Sequence, residues 1–355
     1  MFKKLLHEIK EVIKEEYKFI ITLLLIYIIL NIPLNYYITV GGGISDVSSR
    51  IHVTDSYKSK GSFNISYVTQ LNGNVITYLL SYVIPSWERE STSNYKYTTE
   101  ESLEDINFRG DLDLRTANGT ATYWAYTLAN KSLKEITSKM YVIVVFNDEY
   151  ETNLKVQDEI VSIDGKTYES LNEYKKLIQS KKAGDTIEVK VIRNNQAMTL
   201  DVPLYDSEGI TVLGVGLQYV KEYDTDPPVN IKFKSSESGP SGGLITALEI
   251  YNQLTKDDIT NGYKIAGTGT LEPDGTIGPI GGIKYKIIGA EADKADYFLA
   301  PAGENYEEAK KYIKDNNYKI KLIEVKTIED AIKKLEGLKW GLELDLMIPF
   351  VEQQK

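Results

Sequence analysis

Ser238-Gly239-Pro240-Ser241-Gly242-Gly243 runs straight into Leu244-Ile245-Thr246-Ala247-Leu248-Glu249-Ile250-Tyr251-Asn252-Gln253-Leu254. Gly-Pro sets a tight turn ahead of Ser241, and the two glycines after it let another backbone come close. Leu244, Ala247, Leu248 and Tyr251 recur at helical spacing, so Ser241 falls at the first turn of a helix with a buried stripe. Backbone N–H groups and the positive end of the helix dipole collect there. A serine oxygen held at that point has neighbours able to stabilise an oxyanion; it also has the position of an ordinary N-cap. Taken alone, the stretch favours the cap.

The composition of the chain narrows the choice. It has no cysteine, which removes thiol nucleophiles, disulfides and cysteine zinc sites together. Its two histidines are His7 and His52, and no His-Glu-x-x-His motif occurs, so no metal site is expected. A Ser-His-Asp arrangement would have to use His52; otherwise the base for Ser241 is most economically a lysine. The phosphate-binding pattern Gly-x-x-x-x-Gly-Lys-[Ser/Thr] is absent, and no cofactor is expected. A net charge of −10 with no basic run argues against nucleic acid as a partner.

A candidate lysine lies in Gly278-Pro279-Ile280-Gly281-Gly282-Ile283-Lys284-Tyr285-Lys286-Ile287-Ile288-Gly289-Ala290. Gly281-Gly282 breaks the preceding strand, and Ile283, Ile287 and Ala290 mark the buried side of a new helix. Lys286 borders that apolar stripe on one flank and Lys284 on the other. A lysine at such a border can lose its water, which lowers its pKa towards neutrality, and only the neutral amine can take a serine proton. The wheel by itself is equally consistent with two lysines snorkelling from an amphipathic helix.

The three segments Gly239-Pro240-Ser241-Gly242-Gly243, Gly267-Thr268-Gly269 and Gly278 to Lys286 resemble, in order and spacing, the proteolytic domain of Lon-type serine peptidases. The resemblance extends over residues 206–337. It implies that Ser241 is the nucleophile, Lys286 the general base and Thr268 a support for the lysine, with Gly239, Pro240 and Gly242 shaping the turn and the oxyanion region. It further implies assembly into a hexameric homo-oligomer. Lon enzymes usually carry an acidic residue directly before Gly-Pro-Ser; here that position is Ser238, and Glu237 is one step earlier. The ATPase module of full-length Lon has no counterpart, since the phosphate loop is missing.

The remaining chain reads as several pieces of an α+β protein. Residues 1–18 hold Lys3, Lys4, Lys10, Lys14 and Lys18, and residues 19–40 are expected to form a transmembrane signal anchor with Tyr36 and Tyr37 at its far interface. The lysine bias places the N-terminus in the cytoplasm and the catalytic region outside, with a cell-membrane location. Residues 41–139 are expected to be a membrane-proximal α/β segment. Within it, 62–68 and 75–83 read as a hairpin joined at Asn72-Gly73-Asn74, and 121–136 as a helix. The Ser-x-x-Lys at Ser93 to Lys96 lies in a polar loop without its accompanying motifs, and chance explains it.

Residues 140–205 resemble a PDZ domain of the bacterial protease type, carried by Leu154-Lys155-Val156-Gln157-Asp158-Glu159-Ile160-Val161-Ser162-Ile163-Asp164-Gly165-Lys166 and by Ala183-Gly184-Asp185-Thr186-Ile187-Glu188-Val189-Lys190-Val191. The pattern predicts strands at 159–163 and 186–193 and a helix at 171–178; no glycine-rich carboxylate loop is recognisable. Beyond the lysine motif, 297–300, 304–316, 319–325 and 328–335 alternate strand and helix, and residues 338–355 are a tail without an assigned role. Two functions follow. One is a membrane-anchored serine endopeptidase acting on protein or peptide substrates, membrane proteins among them, with the PDZ domain selecting or regulating. The other is a PDZ peptide-binding scaffold whose Lon-like domain is proteolytically silent.

Overall fold

The computed structural model describes residues 2–168, 170–234 and 237–347, with side chains described for 14–168, 170–234 and 237–338. Among the described residues the α-helices are Phe2–Leu30 (α1), Val75–Leu80 (α2), Leu103–Leu128 (α3), Leu171–Gln179 (α4), Gly243–Leu254 (α5), Ile283–Ala292 (α6), Glu304–Asp315 (α7) and Ile328–Met347 (α8). The chain divides into two compact units, 1–41 with 68–95, and 42–67 with 96–355.

In the first unit, α1 stops at Leu30 and Pro33 opens the strand Pro33–Asp46, so the span expected at 19–40 is helical only in its first part. The uncharged apolar part of α1, 19–30, is about 18 Å long at 1.5 Å per residue, against about 30 Å of bilayer hydrocarbon. Lys14, Glu15, Glu16 and Lys18 precede it. No helix among the described residues is long and apolar enough to cross a membrane, which corrects the expected transmembrane helix. Residues 36–39 pair antiparallel with Glu88–Ser91. The expected hairpin at 62–83 is also absent: the strand Ser62–Asn74 continues through the predicted turn and is followed by α2. Asn74 decides this, because its side chain accepts from the Thr77 N–H while the Thr77 hydroxyl accepts from the Asn74 N–H, both at 2.9 Å, a reciprocal cap that starts a helix.

Among the described residues, two larger sheets shape the second unit. In one, the strand Lys264–Gly267 pairs in parallel with residues 62–65 and with the strand Tyr297–Pro301, which pairs in parallel with Lys321–Val325. Helices α6 and α7 make the crossovers that parallel pairing requires. Alternate residues of these strands enter different cores. Ile265 and Leu299 pack with Leu244 and Leu248 of α5, whereas Ala266 and Phe298 pack with Ile283 and Ile287 of α6. Since neighbouring strand residues face opposite sides of a sheet, α5 covers one face and α6 the other.

Much of the region expected to be membrane-proximal belongs to the same core. Val47, Ile51 and Phe63, with Ala121, Ala125 and Tyr126 of α3, pack against α5. Helix α3 begins well before the predicted 121, at a capping box made by Ser102 and Asp105, and ends at Leu128, where Asn130 takes φ 51°. The strand Ser132–Val145 replaces the last part of the predicted helix.

The second sheet has the order Val215–Asp226, Ser132–Val145, Glu159–Ile163, Thr186–Arg193, Gln196–Pro203, with α4 packed on it through Tyr174 and Ile178. Asn194 and Asn195, both at positive φ, make the two-residue hairpin between its last two strands. Its outer strand, Val215–Asp226, lies past residue 205, the end expected from sequence. Helix α3 touches that strand: the Gln218 side-chain amide donates to Asp113 and to Thr116, each at 3.0 Å.

Candidate active site

The Gly-Pro turn holds Ser241 by two devices. Gly239 has φ 85°, a conformation that costs an L-residue about 1–2 kcal/mol, and its N–H donates to the Gly110 carbonyl of α3 at 3.0 Å. The Ser241 carbonyl accepts the Gly269 N–H at 2.8 Å and the Thr268 hydroxyl at 3.1 Å. Ser241 does not cap α5. The N-cap is Gly242, without any side-chain cap, and the Ser241 hydroxyl is left for another partner.

That partner comes from the other face of the sheet. Gly282, at φ 69° before α6, turns the chain so that Lys286 stands in the second turn of the helix. The Lys286 Nζ donates to Ser241 Oγ at 2.9 Å and to Thr268 Oγ1 at 2.7 Å. Thr268 is completely buried just past the end of the strand Lys264–Gly267, so it lies between the two helices at the sheet's carboxyl edge. Its N–H donates to the Leu299 carbonyl at 3.1 Å, which fixes the threonine to the neighbouring strand. Lys286 is itself only 3 % exposed, and burial lowers its pKa from the ordinary lysine value to about 8. Desolvation disfavours the ammonium, and no carboxylate counters it.

Ser241, Thr268 and Lys286 are therefore brought together, with Gly239, Pro240 and Gly242 forming the turn. Pro240 contributes its carbonyl, which accepts the Gly243 N–H at 3.1 Å. The other candidates are elsewhere. Lys284 stands 5.2 Å over the ring of Tyr285 and makes no hydrogen bond to Ser241. His52 is exposed on the strand Ile51–Val53, paired across from Asn230, and the side chain of His7 lies outside the described residues. Glu237 forms an ion pair with Arg50 and accepts the Lys234 N–H at 3.0 Å, so the acidic position serves the approach to the turn rather than the lysine. Among the described residues no cluster of His, Asp and Glu could hold a metal ion. Sequence reasoning missed Gly110, whose carbonyl steadies the turn from 129 residues upstream, because nothing local marks a helix carbonyl as a partner.

Residues 234–336 match the family model of the Lon protease (S16) C-terminal proteolytic domain, and residues 131–204 match that of the PDZ domain. The chain carries a PDZ domain and a Lon-type proteolytic domain. Ser241, Thr268 and Lys286 all lie within the Lon-type match, and the central strands and α4 within the PDZ match. Among solved structures, the PDZ domain of an SdrC-like protein from Listeria monocytogenes is 28% identical, the match covering 24% of this chain and 92% of that one with a TM-score of 0.21. The PDZ domain of an SdrC-like protein from Listeria innocua is 29% identical, covering 22% and 92%, also with a TM-score of 0.21. No curated protein matched the chain.

Proposed function

We propose that this chain is a serine endopeptidase working through a Ser241–Lys286 dyad, with its PDZ domain presenting the substrate. The observation that carries this reading is the 2.9 Å contact from a buried, solvent-stripped Lys286 amine to Ser241 Oγ. As Oγ attacks the scissile carbonyl carbon, the neutral amine takes its proton, and the resulting ammonium passes that proton to the leaving amine nitrogen. The acyl-enzyme ester is then hydrolysed by water, whose proton goes to the same amine and returns to Oγ. Thr268 holds Nζ by accepting one of its hydrogens, and holds the Ser241 carbonyl by donating its own. The N–H groups of Gly243 and Leu244 are bound to the Pro240 and Gly269 carbonyls, and we assign the substrate oxyanion to those of Ser241 and Gly242.

For the PDZ domain, the place suited to a peptide is the outer strand Val215–Asp226, which ends its sheet. Its Leu217 and Tyr219 pack beside Tyr168 and Leu171 at the start of α4, so an added strand would meet both free backbone groups and apolar side chains. The chain enters that strand at Gly214, at φ 70°, where the Tyr150 side chain fills the space a Cβ would take and the Gly214 carbonyl accepts the Phe146 N–H at 3.0 Å. Membrane attachment rests on α1: Phe19, Leu23, Leu24, Leu25, Tyr27 and Ile29 are all exposed, an apolar surface that runs round the helix. The five lysines of residues 1–18 add attraction to anionic headgroups. Assembly into a hexamer remains an implication of the family.

The deciding experiment is cleavage of an unstructured peptide by the purified chain without ATP, alongside Ser241→Ala and a serine-directed fluorophosphonate. Turnover and labelling that both vanish in Ser241→Ala support the peptidase. Absence of both in the wild type, with peptide binding retained, would favour the silent scaffold.

A further inference from the structure

Asn305 is a buried polar side chain, 8 % exposed, that the dyad does not touch. It stands near the start of α7, whose N-cap Gly303 offers no side chain. Its amide grips a single residue at both ends: Oδ1 accepts the Ile280 N–H at 2.8 Å, and Nδ2 donates to the Ile280 carbonyl at 2.9 Å. The side chain thus replaces the partner strand that Ile280 would need to satisfy its own backbone.

Ile280 lies two residues before Gly282, the left-handed residue that launches α6. The Gly282 carbonyl accepts the N–H groups of Tyr285 at 3.1 Å and of Lys286 at 3.2 Å. A connected path therefore runs from Asn305 through Ile280 and Gly282 to the backbone of Lys286. On either side of Ile280 the chain has little else to hold it: Pro279 has no N–H to give, and Gly281 and Gly282 are exposed. Ile280 also packs on the core that holds Ile283, Ile287 and Ala290 beneath the lysine's helix.

We propose that Asn305 is a positioning residue for the dyad, setting how far α6 advances towards Ser241 and so keeping the Lys286 amine both buried and within hydrogen-bond reach of Oγ. This rests on the peptidase reading. Asn305 itself contacts neither of the reacting groups. Its influence passes through one peptide unit, and a loosened Ile280 would let the first turn of α6 drift and admit water to Nζ. Serine and lysine would then lose their contact without any change in either residue.

The test compares Asn305→Ala and Asn305→Asp with wild type in the full chain. Active sites are counted by fluorophosphonate labelling, so that each rate is expressed per folded site. Asn305→Ala should lower kcat about 10- to 100-fold per site, as misplacing a reacting group by a fraction of an ångström does, with KM nearly unchanged. The ascending limb of the pH–rate profile should move to higher pH as water reaches Lys286. Burial is what lowers the Lys286 pKa, so the limb reports that burial. Asn305→Asp keeps the acceptor for the Ile280 N–H but loses the donor, and should be impaired in the same sense. A merely structural asparagine would lower the melting temperature and the labelled fraction while leaving kcat per site and the pH limb in place; that result would overturn the proposal. If Lys286→Ala, run beside it, kept full activity, the dyad reading itself would fall instead.

Discussion

The Lys286 amine donates to the Ser241 hydroxyl across 2.9 Å although Lys286 belongs to α6 on one face of the sheet and Ser241 to the turn leading into α5 on the other. Thr268, at the end of the strand between them, touches both. This three-residue contact is where packing and chemistry meet, because the same burial that joins the helices removes water from the lysine.

Lys286→Ala and Lys286→Arg should both abolish peptide hydrolysis, by about 10⁴-fold or more in kcat, in the range seen when a base or nucleophile is removed. The arginine variant should fail because guanidinium stays protonated. Lys284→Ala should stay within a few-fold of wild type. Steady-state kinetics on one fluorogenic peptide decide this, and an inactive Lys284→Ala beside an active Lys286→Arg would refute the assignment.

Activity should rise with pH through about 8, the value to which burial lowers the Lys286 pKa. Stability should follow the same group. Above pH 8 the folded protein releases a proton that the unfolded chain keeps until about 10.5, so this contribution to stability increases with pH across that window. Below pH 8 the buried ammonium costs about 3 kcal/mol, at roughly 1.4 kcal/mol per pKa unit. Lys286→Met should therefore melt higher than wild type at pH 7, with the advantage shrinking above pH 8. Calorimetry at two pH values measures it.

Glu249 gives the opposite slope. Burial within α5 raises its pKa to about 7, and Gln253 donates to its Oε1 at 2.7 Å. The folded state holds a proton that the unfolded chain loses near 4.5, so stability falls as pH rises from about 4.5 to 7. Glu249→Gln should stabilise by about 3 kcal/mol at pH 8 and by much less at pH 4.5. Equal effects at both values, read by denaturant titration, would contradict the buried carboxyl.

Thr268→Val removes a hydroxyl that accepts from Nζ and donates to the Ser241 carbonyl, while keeping the shape. The rate should fall about 10- to 100-fold, in line with losing a positioned hydrogen-bonding group. Thr268→Ser should recover most of it. If valine were as active as threonine, the lysine would need no such support.

Gly239→Ala would put a Cβ into open space, since no other atom lies within 4 Å, yet force an L-residue to φ 85°. A stability loss of about 1–2 kcal/mol is expected from strain alone. Turnover should drop as well, because the residue anchors the nucleophile turn to Gly110. An unchanged melting temperature would show that the turn relaxes freely.

Local sequence determined much of this protein. The helix after Ser241, the break at Gly281-Gly282 and the strands at 159–163 and 186–193 were legible because periodicity, glycines and turn residues act over a few neighbours. The three motifs bearing Ser241, Thr268 and Lys286 were legible as well, though a helical wheel left Lys284 and Lys286 equivalent. The resemblance to the Lon-type motif picks Lys286, and the tertiary structure supplies the physical reason: the pKa of an amine depends on what buries it, and that is supplied by strands and helices remote in sequence. The same limit explains the misread segments. Asn74 turned an apolar run from strand to helix through one reciprocal cap, and Pro33 ended α1 before its apolar length could reach across a bilayer. Gly110 and Asn305 carry no motif, since a helix carbonyl and a lone asparagine acquire their roles only when the fold sets a turn or a loop against them.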